Sequence, residues 1–198
     1  QGLADGYFVL PYTIQNYLAD QAIWPRIPTT AKEFDEVEKA TEKRIQKLMN
    51  IKGKRSVDSI HKELGHICWE YIGMGRTKEG LEKGIELIDK LRKEFDTNLF
   101  IPGDRKGLNI ELDKAIHLDD FITMGKLMAY DALSREESCG GHFREEHQTE
   151  EGEAKRDDKN FFYVGCWEYQ GSDDKAPVLI KEPLEYEAIK VQTRNYKN

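Results

Sequence analysis

Between residues 30 and 137 apolar side chains return at helical spacing in four successive runs, and only short glycine- or proline-marked breaks separate them. The first run is Phe34, Val37, Thr41, Ile45 and Leu48, opposite a face rich in Lys and Glu. Thr30 and Glu33 fit a capping box ahead of it, and Gly53 is a stop signal behind it. Ser56 opens the second run, Val57, Ile60, Leu64, Ile67 and Tyr71. Thr77 is a suitable N-cap for the third, Leu81, Ile85, Ile88, Leu91 and Phe95. The fourth spans about 109–137, with Ile110, Ala115, Ile116, Ile122, Leu127, Met128 and Leu133 spread around its axis. A helix apolar on several sides is expected at the centre of its neighbours. The break at Gly73-Met74-Gly75 is short, and long helices joined by short breaks pack antiparallel. The expected fold is therefore mainly α: an antiparallel three- to four-helix, spectrin-repeat-like bundle over residues 29–137.

The flanks read differently. Residues 1–28 carry Leu3, Tyr7, Leu10, Ile14, Tyr17 and Leu18 at helical spacing with few charges. Pro11 should kink or split that helix, because it lacks a donor and crowds the preceding turn. The turn signal Trp24-Pro25-Arg26-Ile27-Pro28 closes the segment. Residues 138–198 read as an extended tail with short strands. Cys139-Gly140-Gly141 breaks the helix, and 145–158 is an acidic, solvated loop. Strand candidates are Phe161-Phe162-Tyr163-Val164 with 167–169, then Val178-Leu179-Ile180 and Ile189-Lys190-Val191.

A chain of 198 residues can bury a core without metal or disulfides. Its net charge of -7 argues against nucleic acid as a partner. No window approaches the ~20 apolar residues of a membrane span. Three widely spaced cysteines, Cys68, Cys139 and Cys166, make no disulfide framework and point to a reducing compartment, the cytoplasm. The start, apolar and without an initiator Met, leads to the expectation of a fragment of a longer protein.

Candidate chemistry is sparse. His61 and His66 lie about 140° apart on a helix, the wrong geometry for a metal pair, and read as one surface and one partly packed side chain. Cys139 and His142, with His147 and Cys166, have the ligand types of a zinc site but match no common finger spacing. The simpler expectation is a tight Gly-Gly turn that sets His142 and Arg144 against another surface. The charge cluster Arg135-Glu136-Glu137, followed by Arg144 and Arg156-Asp157-Asp158, could bind an anion or a carboxylate substrate, since arginine grips carboxylates bidentately. The favoured expectation is that these arginines pair with nearby acids and fasten the tail to the bundle. No phosphate-cradling glycine motif, nucleophile elbow or defensible acid/base pair is present, so no catalytic, cofactor-binding or metal residue is assigned.

Several of these segments, in order, resemble the flavoprotein subunits of succinate dehydrogenase and fumarate reductase. That family carries R-x-E-S-R-G-A-H-x-R and then R-D-D-x-N-aromatic in its C-terminal region. Here the first reads Arg135-Glu136-Glu137-Ser138-Cys139-Gly140-Gly141-His142-Phe143-Arg144, and the second Arg156-Asp157-Asp158-Lys159-Asn160-Phe161. Upstream, His61-Lys62-Glu63-Leu64-Gly65 and Gly73-Met74-Gly75-Arg76-Thr77-Lys78-Glu79-Gly80-Leu81 are similar to the bundle's second helix and turn. The ending Val191-Gln192-Thr193-Arg194-Asn195-Tyr196 resembles the family's R-x-Y finish. Cys139 stands where many members carry arginine, Gly141 where they carry alanine, and the acidic loop 145–155 is longer than in many relatives.

The resemblance implies a parent enzyme that interconverts succinate and fumarate by hydride transfer at FAD and exchanges electrons with an iron–sulfur subunit. It implies that FAD and the catalytic residues lie upstream of this chain, in a flavin domain whose last helix residues 1–28 would supply. Implied partners are that FAD-binding domain and the iron–sulfur subunit, with self-association through 1–24 where the flavin domain is missing. The parent complex would sit on the cytoplasmic face of the inner membrane. Arg135, His142, Arg144, Arg156 and Asp157 are the interface or tail-anchoring candidates. Two alternatives are a stand-alone helical interaction module with a Cys/His zinc-stabilised tail and the C-terminal bundle of an L-aspartate oxidase-like flavoenzyme.

Overall fold

Three of the four expected helices begin where a side chain can accept an exposed backbone N–H. In the computed structural model, which describes residues 2–20, 25–171 and 175–192, Ser56 Oγ accepts the N–H of Ser59 at 3.2 Å. Thr77 Oγ1 accepts that of Gly80 at 3.0 Å, and Asn109 Oδ1 that of Leu112 at 3.0 Å. Such a cap stabilises a helix by about 1 kcal/mol. The helices they open are α4 (Val57–Ile67), α5 (Lys78–Asn98) and α6 (Ile110–Ser134). Ahead of them come α1 (Gly2–Ala4), α2 (Leu10–Tyr17), α3 (Lys32–Asn50) and the two-residue strand β1 (Arg55–Ser56). Strand β2 (Leu99–Phe100) follows α5, and α7 (Asp158–Phe161), β3 (Tyr163–Glu168) and β4 (Val178–Pro183) complete the chain.

The described chain falls into two compact units, Gln1–Arg44 and Ile45–Asn198. In the first, the chain stays helical through Pro11. The hydrogen-bond register slips instead: Asp5–Val9 is a π-turn, and the Leu10 N–H donates to Asp5 C=O five residues back. The slip lies in the turn just before Pro11, which falls at the start of α2, where a missing N–H is best tolerated. Residues 2–17 are exposed throughout, including Leu3, Tyr7, Phe8 and Tyr17. Helix α3 opens at Lys32, one residue later than a Thr30 cap requires, behind a turn closed by Ala31 N–H on Pro28 C=O at 3.0 Å. Phe34 and Val37 are exposed. Trp24, part of the expected turn at 24–28, and residues 193–196 of the expected ending lie outside the described residues.

The second unit is built on the stripes of α4 and α5. Val57, Ile60, Leu64 and Ile67 are buried on α4, and Leu81, Ile88, Leu91 and Phe95 on α5; Ile45, Leu48 and Met49 from the end of α3 join them. Each fully buried Leu or Ile contributes roughly 1.5–3 kcal/mol. Strands β1 and β2 pair in parallel, Arg55 against Leu99 and Ser56 against Phe100. One leads into α4 and the other leaves α5, so the start of α4 lies beside the end of α5. Cross-helix ion pairs give the third direction. Asp89 meets Lys126 at 2.6 Å while Arg92, further along α5, meets Asp119, earlier on α6. Helix α5 therefore runs antiparallel to both α4 and α6.

Helix α6 buries a different face from the one its large residues suggest. Leu112, Ala115, Leu118, Ile122, Gly125, Ala129 and Ala132 face the core, while Ile110, Phe121, Met124 and Met128 are exposed. It is one wall of the bundle, not its centre. Small residues let it approach closely: a Cβ on Gly125 would sit 3.4 Å from Cys68 Sγ. The helix ends at Ser134, short of the expected 137.

In the tail, the two aromatic strand candidates merge into β3, with Phe161 in α7 instead. β3 and β4 pair antiparallel from Tyr163 against Pro183 to Glu168 against Val178. Residues 189–191 form no strand. Among the described residues, no helix is long and apolar enough to cross a membrane.

Candidate functional site

The tail returns to the bundle at the end of α6. The Gly-Gly turn is closed by two backbone bonds, Cys139 N–H to His142 C=O at 2.8 Å and His142 N–H to Cys139 C=O at 3.0 Å. Gly140 takes φ +59°, a left-handed conformation that glycine adopts without penalty. The turn directs His142, Phe143 and Arg144 onto the connection between α4 and α5. There Arg76 N–H donates to Phe143 C=O at 3.1 Å, and Glu145 N–H donates to Arg76 C=O at 2.8 Å.

Three of the five sequence candidates gather here, with one residue not singled out. Arg144 is buried, its side chain 2% exposed. Its Nη1 donates to Ala132 C=O at 3.0 Å and Leu133 C=O at 3.4 Å, and its Nε to Glu146 Oε2 at 3.2 Å. Ser138 Oγ accepts the Arg144 N–H at 2.8 Å and donates to its C=O at 3.1 Å. Arg76 donates through Nε to Ile72 C=O at 3.0 Å and Gly73 C=O at 2.9 Å. Its Nη1 lies 2.7 Å from His142 Nδ1, and His142 Nε2 lies 2.9 Å from Arg135 C=O.

Arg135 ties this cluster to the hairpin. Its Nη1 donates to Glu137 Oε1 at 2.8 Å and Phe161 C=O at 3.0 Å, and its Nη2 to Tyr163 C=O at 3.1 Å. The guanidinium also lies 4.9 Å from the Tyr163 ring centre, a cation–π contact. Glu137 is 3% exposed, and its second oxygen accepts the Asp157 N–H at 2.8 Å. Asp157 caps the short α7 through Asn160, whose side-chain bond holds the Asp157 carboxyl below its usual range. Arg156 faces away, with Nη2 on Asp158 Oδ1 at 2.5 Å and Nη1 on Gln192 C=O at 3.4 Å. It and Asp157 line a separate open cleft of about 520 Å³ with Glu136, His147, Lys155, Asn160 and Phe161.

Electrostatics follow from this packing. Burial lowers the pKa of His142, and Arg76, Arg144 and Arg135 add to that against the backbone bond to Arg135. Burial also lowers that of Arg76, reinforced by Arg144 and opposed by Asp131. For Glu146, burial acts upward but is outweighed by the N–H of Lys78, its own N–H and Arg144, so its carboxyl stays below the usual range. That carboxylate sits on the first N–H of α5, where a negative charge suits the helix dipole.

The candidate zinc ligands do not assemble. Both His142 nitrogens are engaged, His147 lines the other cleft and Cys166 is exposed on β3. Among the described residues, no three His, Cys, Asp or Glu side chains are placed to hold a metal. His61 and His66 are both exposed, His61 lying 5.6 Å from the Phe121 ring. Arg76 and Glu146 carry no chemical signal of their own in the sequence, whereas Glu137 belongs to the charge cluster that begins at Arg135. Arg76 lies within the Gly73-to-Leu81 motif, and its membership of that motif is the signal that marks it.

Residues 61–196 match the family model described as fumarate reductase flavoprotein C-term. The chain belongs to this family. As a member of it, the chain is 32% identical over 134 residues to the fumarate reductase flavoprotein subunit of Proteus vulgaris, covering 68% of this chain and 22% of that protein. It is 30% identical over 140 residues to an uncharacterized FAD-dependent oxidoreductase of Methanocaldococcus jannaschii, covering 66% of this chain and 25% of that one. A solved Escherichia coli quinol fumarate reductase superposes with a TM-score of 0.71 at 25% identity, over 87% of this chain and 28% of that chain. The chain thus spans only about a quarter of the length of these two curated relatives.

Proposed function

We propose that this chain is the C-terminal helical domain of a succinate dehydrogenase/fumarate reductase flavoprotein subunit and is structural rather than catalytic by itself. The parent subunit interconverts succinate and fumarate at FAD and passes electrons to or from an iron–sulfur subunit, on the cytoplasmic face of the inner membrane. FAD is held by the flavin-binding domain of the same subunit. Residues 1–28 are the end of that domain, 29–137 the bundle packed on it, and 138–198 a tail that docks the iron–sulfur subunit.

One observation carries the structural half of this reading. Arg144 of the tail and Arg135 before it are engaged by protein groups: Arg144 by the last carbonyls of α6 and Glu146, Arg135 by Glu137 and two carbonyls of the hairpin approach. Arginines arranged this way fasten backbone to backbone; they do not present a fork to a carboxylate substrate. The 198-residue chain produced alone is therefore expected to be colourless and to turn over neither fumarate nor succinate. A yellow preparation that reduces fumarate with a viologen donor would overturn the assignment.

The exposed apolar residues of the first unit support the missing partner. Leu3, Tyr7, Phe8, Tyr12 and Tyr17 are each more than 60% exposed within one helical stretch. Large bare apolar patches are uncommon on monomers. Sedimentation velocity over a concentration series is expected to show self-association of the isolated chain. A truncation lacking residues 1–24 should remain monomeric; a full chain that stays monomeric at high concentration contradicts the reading.

A further inference from the structure

We propose that His142 is an acid-sensitive latch: while its imidazole is neutral it holds the Cys139–His142 turn on the α4–α5 connection, and a second ring proton opens that contact. The argument starts from the two partners. A backbone carbonyl only accepts, so the Nε2 that lies 2.9 Å from Arg135 C=O carries the ring proton. A guanidinium only donates, so the Nδ1 that lies 2.7 Å from Arg76 Nη1 offers its lone pair. Only the neutral Nε2–H tautomer satisfies both bonds. A proton on Nδ1 would set two donors, and two positive charges, face to face.

The charged groups around the ring all oppose that proton. Arg76 faces it from the α4–α5 connection, Arg135 from the end of α6 and Arg144 from the tail itself. The nearby acids are engaged elsewhere. Asp131 on α6 acts on Arg76 and accepts the Trp167 indole N–H, Glu137 holds Arg135, and Glu146 holds Arg144 and the start of α5. Burial and these cations lower the ring's pKa from 6.5. The stability this neutral histidine contributes is therefore present above 6.5 and is lost as pH falls from there through the lower folded value.

What moves is set by the remaining bonds. Arg76 keeps Ile72 and Gly73 through its Nε, so it stays with the bundle. His142 sits on a four-residue turn with Gly140 at its left-handed corner, and this is the softer side. The adjacent backbone bonds, Arg76 N–H to Phe143 C=O and Glu145 N–H to Arg76 C=O, report its opening.

The test uses the full chain. Long-range imidazole 1H–15N spectra are expected to show His142 as the Nε2–H tautomer at neutral pH, with a titration midpoint below 6.5. Amide exchange at Arg76 and Glu145, corrected for its intrinsic pH dependence, should accelerate with that same midpoint. His142→Gln should abolish the step. Should that variant not fold, Arg76→Gln serves instead, because removing one facing cation should raise the midpoint. An Nδ1–H tautomer, a midpoint at or above 6.5, exchange that ignores the titration, or an unmoved midpoint in Arg76→Gln would each overturn the latch.

Discussion

The Gly53→Ala chain is expected to lose about 3 kcal/mol of unfolding free energy, read as a lower urea midpoint with an unchanged slope. A Cβ at this position would lie 2.0 Å from both the carbonyl carbon and the oxygen of Asn98. Those are backbone atoms at the end of α5 and cannot swing aside. Gly53 N–H also donates to Leu99 C=O at 2.8 Å, and Lys54 N–H to Asn98 C=O at 2.9 Å. Relieving the clash therefore breaks the stitches that lead into the parallel β1–β2 pair, where Leu99 is fully buried. Gly65→Ala is the control. Gly65 lies in α4 with nothing within 4 Å of the added carbon, so alanine there should stabilise by about 0.5–1 kcal/mol. Equal effects at the two sites would show that the β1–β2 crossing does not limit stability.

Gly53 also marks how far the sequence could be read. By its position it reads as a helix stop, yet the left-handed residue after α3 is Lys52, at φ +54°, and Gly53 is needed for a close approach by Asn98. Nothing local signals that need, because the approaching residue is 45 positions away. The same reason hid β1 and β2, two residues each and joined only through the fold. Helices α4 and α5 were legible because local signals agreed: a capping hydroxyl, one apolar stripe and a glycine-marked break. Helix α6 is harder to read because four of its seven core-facing residues, Ala115, Gly125, Ala129 and Ala132, carry a weak hydropathy signal, while Ile110 and Met128 from the apolar run are exposed. In the site, Arg135, His142 and Arg144 were visible through the motif that carries them. Arg76 was not, since its role depends on an imidazole 66 residues later.

Removing Arg144 is expected to cost far more stability than removing an arginine paired at the surface. Helix α6 has no basic residue in its own last turn, so its final carbonyls lack a cation from within the helix. Arg144 supplies one from the tail, bonding Ala132 and Leu133 C=O while its own backbone is held by Ser138. Arg144→Met keeps much of the stem but strands those carbonyls in a buried position. The expected loss is about 3 kcal/mol. Glu146 adds little to it, because its side chain is 40% exposed, can rehydrate and keeps the first N–H of α5. Arg144→Lys retains the charge without the planar fork, and roughly half the loss is expected. Arg156→Met is the comparison: its pair with Asp158 has a partner 51% exposed, and such surface pairs are worth about 0–1 kcal/mol. Urea unfolding of the three variants ranks them. If Arg144→Met unfolds no earlier than Arg156→Met, the tail is not fastened through the end of α6, and the anchoring role proposed for residue 144 fails while the family assignment stands.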